Sequence, residues 1–267
     1  MRAIWPRGYR SPGEVTGART GPTLLLLFDI DGTLLRGASG AHAKALRAAL
    51  HSVHHIDLDG IRPSRDAAGR TDGEIARIIL LGAGVSAQRI DERADDVRAE
   101  CCRLYCELCP PDLSDTIVDG IPELLAWLAG LEGVHLSLVT GNFEPVARLK
   151  LKRARLGHRF ATGQGGFGSD AEDRAMLPPI ARRRAGALEC APGTSYPRDR
   201  TILIGDTPRD IACARADGVR CVAVCSGPYG AEDLTAADAV ARDAGELREA
   251  LASLLSDGAE ATADSAT

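Results

Sequence analysis

The chain has 267 residues, 45% of them hydrophobic, enough for one large domain, or a domain with an insertion, around a sizeable core. A formal net charge of -5 argues against the global basic field that nucleic-acid binding requires. No apolar run approaches a membrane span, and eight cysteines without a secretion signal argue against a disulfide framework, so a cytoplasmic protein is expected.

Residues 1–19 mix Arg, Gly, Pro and Ser without periodicity and read as a disordered tail. Leu24–Phe28 then forms an apolar run, the pattern of a strand buried on both faces of a parallel sheet. It is too short for the apolar region of a signal peptide and runs directly into Asp29 and Asp31. Asp is a poor strand former, and two buried carboxylates are costly without partners. The pair therefore predicts either a cation or a reaction at this strand end; the plainer alternative is an Asp-Gly turn.

Residues 35–115 break the strand rhythm. Helical patterns cover Ala41–Val53, Asp72–Leu81 and Ala87–Leu108, with no convincing strand among them. His51, His54 and His55 lie at non-ligand spacing and are expected at the surface. Gly69-Arg70-Thr71-Asp72 stands at a helix start, where Thr71 and Asp72 suit an N-cap. Cys101, Cys102, Cys106 and Cys109 cluster at the end of a helical pattern; packed, reduced thiols are expected rather than a metal or redox site.

From residue 116 strands and helices alternate. Leu136–Val139 ends in Thr140-Gly141-Asn142, and the helix Glu144–Leu156 puts Val146, Leu149 and Leu156 on one side. Lys150 and Lys152 are expected on its solvated face, as are Arg182, Arg183 and Arg184 on the helix that Pro178 and Pro179 open. Thr201–Ile204 ends in Gly205-Asp206, the helix Pro208–Ala216 is closed by Asp217-Gly218, and Cys221–Cys225 is a further strand. Ala239-Val240 is a weak edge strand, Glu246–Leu255 a last helix, and residues 257–267 a disordered tail. Such alternation implies right-handed crossovers, hence an α/β fold with a doubly wound, Rossmann-like parallel sheet. The core is expected over residues 20–34 and 116–256, interrupted by an all-helical cap over 35–115.

Chemistry concentrates at the strand ends. Asp206 closes one strand and Asp210 follows in the first helical turn. Acidic side chains at adjacent strand ends repel unless a divalent cation neutralises them, and oxygen ligands with room for water suit Mg²⁺. The Thr140 hydroxyl and the free N–H groups of Gly141 and Asn142 form a turn suited to phosphate oxygens.

Phe28-Asp29-Ile30-Asp31-Gly32-Thr33-Leu34 and Gly205-Asp206-x-x-x-Asp210 resemble the first and fourth motifs of the haloacid dehalogenase-like superfamily, in its Asp-x-Asp phosphatase branch. Thr140 stands where that family's second motif places Thr or Ser. The helical insertion resembles its type-1 cap, as in phosphoglycolate-phosphatase-like members. The resemblance implies that Asp29 is the nucleophile and Asp31 the general acid/base. Mg²⁺ would then be held by Asp29, Asp206 and the Asp31 carbonyl, with Asp210 orienting the ligands. The family's third-motif Lys has no direct counterpart; counting back from Pro178 puts Arg174 there, ahead of Lys150 and Lys152 as rivals. Arg70 becomes the cap residue expected to meet the substrate's non-phosphate end. The implied activity is Mg²⁺-dependent hydrolysis of a small phosphomonoester. A phosphomutase is the alternative; a haloacid dehalogenase, which lacks the second Asp, and a non-catalytic binding module fit less well.

Overall fold

The computed structural model describes residues 24–58, 67–189 and 192–263. In chain order these form β1 (Leu24–Phe28), α1 (Gly40–His54), α2 (Asp72–Gly82), α3 (Ala87–Glu92), α4 (Ala94–Leu108) and α5 (Ile121–Ala129). There follow β2 (Val134–Thr140), α6 (Glu144–Arg153), β3 (Gly166–Phe167), α7 (Leu177–Glu189) and β4 (Thr201–Gly205). The chain ends in α8 (Pro208–Asp217), β5 (Arg220–Val224), β6 (Ala239–Ala241) and α9 (Ala244–Ala263).

The strands form one parallel sheet in the order β3-β2-β1-β4-β5-β6. All of β1 is buried because the sheet is covered on both faces. Leu24, Leu26 and Phe28 join a core with α5, α6 and α9, while Leu25 and Leu27 join a second core with α7 and α8. Connections from β1 run outward through β2 to β3, and β4 then returns to the other side of β1. Strand order therefore reverses between β1 and β4, and the crevice outside those two carboxyl ends is where such sheets bind ligands.

Helices α1 to α4 lie between β1 and α5. Their segment leaves and rejoins the sheet domain at one place: Arg36 N donates to Thr116 O at 2.6 Å, and Val118 N to Leu34 O at 3.0 Å. Apolar residues of these helices, among them Leu46, Leu50, Ile79 and Tyr105, belong to the same core as Phe28 and Leu138 of the sheet. The N-terminus of α2 is strapped to the sheet's loops. Asp72 N donates to Gly141 O at 2.8 Å, Phe143 N donates to Asp72 Oδ2 at 2.7 Å, and the Thr71 hydroxyl donates to Glu172 O at 2.6 Å. Arg77 adds an ion pair to Glu172 at 2.5 Å.

Several expectations need correction. The long helix over Ala87–Leu108 is two, broken at Arg93 (φ -115°, ψ 9°). Asp95 and Asp96 suit the first turn of a new helix, and Arg93 pairs with Asp96 at 2.5 Å. His54 is buried rather than at the surface. Arg182 is not solvated either: it is buried on α7, with Nε and Nη2 on the two oxygens of Asp217 at 2.6 and 2.9 Å. Lys150 is fully buried, whereas Lys152 is exposed as expected. The last helix continues to Ala263 rather than giving way at residue 257. The expected N-terminal tail, Cys190 and residues 264–267 lie outside the described residues. The seven described cysteines are free thiols.

Candidate active site

Asp29 extends the β1 ladder by one residue, its N–H donating to Ile204 O at 2.9 Å. The chain then folds tightly, with Leu34 N and Leu35 N both donating to Ile30 O at 2.9 Å. Gly32 sits in this turn at φ 93°, where a side chain is strained, and a Cβ there would lie 2.1 Å from Asp206 Oδ2. Across the sheet, a Cβ on Gly227 would come within 1.7 Å of the same oxygen. Two glycine backbones therefore close on the Asp206 carboxylate, and Thr33 donates its hydroxyl to Asp206 Oδ1 at 3.1 Å.

Asp29, Asp206 and Asp210 are all buried, and each offers an oxygen within 4.8 Å of the others. Asp210 is already engaged: Oδ1 accepts from Arg174 at 2.5 Å, while Oδ2 accepts from the N–H and hydroxyl of Thr207 at 3.0 and 2.6 Å. It therefore caps α8 and orients Arg174, leaving Asp29 and Asp206 as the carboxylates open to a ligand.

Arg174 comes from the turn before α7, where Asp173 accepts from Ala175 N at 2.9 Å. Its Nη2 lies 3.2 Å from Asp29 Oδ1. Asp31 has a different cation. Lys150 Nζ reaches Asp31 Oδ2 at 2.5 Å, and Asn142 Nδ2 donates to the same oxygen at 2.9 Å. The two acidic residues of the first motif thus have separate basic partners. Lys150 was hidden in the sequence by the choice of helix face. The buried residues of α6 are Val146, Ala147, Lys150 and Leu151, and Leu149 packs against the same core only partly buried. Position 150 is one turn beyond Val146, and that spacing is the signal that could have found it.

Burial is the largest influence on the carboxylates. It pushes Asp29 up to about 7, with Arg174 opposing and Asp210 and Asp31 adding to the rise. Asp206 is pushed up to about 9 by burial and by the charges of Asp29 and Asp210. Burial also favours protonated Asp31, but the Lys150 ammonium and its hydrogen bond outweigh it and hold the group below its ordinary value. With all three clustered carboxylates ionised, Arg174 offsets one and Lys150 is taken by Asp31, which leaves two negative charges. One divalent cation matches that charge, and an all-oxygen donor set facing a water-accessible cavity suits Mg²⁺.

That cavity, of about 540 Å³, lies between the sheet's carboxyl edge and α1 and α2. Thr140, Gly141 and Asn142 line it beside Asp29, Asp31, Arg174 and Asp206. A Cβ on Gly141 would lie 2.2 Å from Arg70 O, so only glycine lets the two loops meet. Arg70 lines the opposite wall and pairs with Glu74 one turn along α2. Leu46, Ile75 and Ile79 add an apolar patch to that wall, Arg47 and Ser39 add polar groups, and His42 stands 3.1 Å from Asp72 Oδ2.

The family model of haloacid dehalogenase-like hydrolases matches residues 26–215. A phosphoglycolate phosphatase of Pseudomonas fluorescens is 27% identical over 205 residues, covering 76% of this chain and 70% of that protein. Tyrosine-protein kinase PtkA of Mycobacterium tuberculosis is 29% identical over 254 residues, covering 92% of this chain and 76% of the kinase. Among solved structures, a β-phosphoglucomutase of Clostridium difficile shares the fold with a TM-score of 0.60 at 17% identity, over 88% of this chain and 98% of that one.

Proposed function

The chain belongs to the haloacid dehalogenase-like hydrolase family, and on that premise we propose that it is a cytoplasmic, Mg²⁺-dependent phosphomonoester hydrolase working through an aspartyl-phosphate. The observation that carries this reading is the division of charge at the crevice. Asp29 shares Arg174 with Asp210 and faces Asp206, while Asp31 stands apart on Lys150.

Asp29, Asp206 and the Asp31 carbonyl would hold Mg²⁺, which when bound neutralises the carboxylates and the phosphate they face. Thr140, Gly141 and Asn142 grip the phosphate oxygens. A carboxylate oxygen of Asp29 attacks phosphorus, a new O–P bond forms, and the bond to the leaving oxygen breaks. Arg174 fixes the attacking carboxylate and offsets charge on the transferring group. Asp31 gives a proton to the leaving oxygen. It then takes one from the water that attacks phosphorus, releasing phosphate and restoring the Asp29 carboxylate.

Similarity to a phosphoglycolate phosphatase supports a small anionic phosphomonoester as substrate, with Arg70 the wall residue to meet its carboxylate. The deciding experiment is a panel of metabolite phosphates, phosphoglycolate included, incubated with Mg²⁺ with and without EDTA and read as free phosphate. Release that EDTA abolishes is expected. Release unaffected by EDTA overturns the metal assignment, and isomerised sugar phosphate in place of free phosphate makes the enzyme a mutase.

A further inference from the structure

Lys150 has no part in the mechanism above, yet its ammonium is fully buried. Removing such a charge from water costs several kcal/mol unless its partner is close and well placed. Leu or Met would fill the same place on α6 without that cost. The charge is directed at one atom, Asp31 Oδ2, at 2.5 Å. Asn142, eight residues earlier in the turn between β2 and α6, donates to that oxygen too. Both grips fall on Oδ2, while Oδ1 is buried and has no hydrogen-bond partner among the described residues. The nucleophile's cation is elsewhere: Arg174 contacts Asp29 and Asp210.

Resting on the hydrolase reading, we propose that Lys150 is a positioning residue for proton transfer, which with Asn142 clamps Asp31 by Oδ2 and so fixes the place and angle of the carboxyl group that gives and takes the proton. The clamp acts on the angle and place of the acid, not on phosphate binding. Its loss therefore matters only where the leaving oxygen needs a proton. A poor leaving group must be protonated as its bond to phosphorus breaks, whereas a nitrophenolate departs as a stable anion.

The test compares kcat/KM for phenyl phosphate and 4-nitrophenyl phosphate, with Mg²⁺, in wild type, Lys150→Met, Lys150→Arg, Asp31→Asn and the double variant. We expect Lys150→Met to lose about 30-fold on phenyl phosphate and less than about threefold on 4-nitrophenyl phosphate, a smaller copy of the Asp31→Asn pattern. Lys150→Arg restores part of the loss. In the Asp31→Asn background, Lys150→Met changes kcat/KM by less than about twofold, because the clamp has nothing left to act on. Equal loss on both esters, no loss on either, or additive losses in the double variant would overturn the inference and make Lys150 a stability residue. The double variant replaces the charged pair by neutral groups, so it keeps the test open if Lys150→Met alone fails to fold. The two levels are separable. Wild type that releases no phosphate in the presence of Mg²⁺ removes the hydrolase reading and the inference with it. Active wild type with an indifferent Lys150→Met removes only the inference.

Discussion

Asp29 and Asp31 are two residues apart and share neither partner nor protonation tendency. Burial drives Asp29 up to about 7, and Arg174 only moderates the rise, while Lys150 holds Asp31 down. These are the tendencies of the metal-free site; a bound cation would lower Asp29 and the charge of a bound phosphate would raise Asp31, toward the ionised nucleophile and protonated acid that the two roles need. Asp29→Asn is expected to abolish turnover, measured as phosphate release. Asp31→Asn is expected to trap a slowly hydrolysed phospho-enzyme, visible as added phosphate in the intact mass; a variant that turns over without accumulating it contradicts the assignment. Much of this site was legible at residue level. Asp29, Asp31, Thr140, Asp206 and Asp210 follow apolar runs in the order their chemistry needs, and strand ends are easy to locate. Lys150 was not legible, because a buried lysine and a solvated one look alike until the helix face is known. The partnership of Asp206 with Gly32 and Gly227 was hidden too, since those residues are distant in sequence and meet only through the sheet.

At the scale of elements, strands were read closely because parallel strands buried on both faces appear as uninterrupted apolar runs, and β1 matches its expected limits. The two-residue β3 carried no such run; glycines make its surroundings, and a Cβ on Gly166 would lie 2.3 Å from Leu177 O. Helix faces were harder wherever arginine replaced an apolar residue in the buried stripe. Arg182 on α7 bridges to Asp217 at the end of α8 and donates to Tyr196 O at 2.5 Å, tying together elements that the sheet alone does not join. Arg182→Met leaves Asp217 buried with an incomplete set of partners and is expected to cost about 3 kcal/mol of stability. Denaturant melts check this, and because the pair lies away from the crevice, the folded variant should keep its kcat.

For the whole molecule, the clustered carboxylates make stability depend on pH and on metal together. Asp29 and Asp206 have folded pKa values of about 7 and about 9 against an ordinary 3.8. Raised values mean that the folded state holds protons the unfolded chain has released, so the metal-free protein loses stability as pH climbs through the interval from about 4 to about 9. In EDTA the melting temperature should therefore fall between pH 5 and pH 9, each pH unit of a full one-proton mismatch removing about 1.4 kcal/mol. Mg²⁺ should raise the melting temperature more at pH 8 than at pH 6, because the bound cation replaces those protons. A metal-free protein whose stability is flat over this range would mean that the carboxylates are solvated rather than clustered.

The strap formed by Asp72, Thr71 and Arg77 against Gly141, Phe143 and Glu172 has a kinetic meaning. It crosses the rim of the cavity, and the apolar residues behind it are continuous with those of the sheet. A phosphate ester entering, or an alcohol leaving, is expected to part that strap and let it re-form in each cycle. Traffic through the rim, rather than bond-making at phosphorus, is then expected to limit turnover on good substrates. Added sucrose, by raising solvent viscosity, should lower kcat for such a substrate, and Thr71→Val should weaken that dependence; a kcat indifferent to viscosity would return the slow step to chemistry.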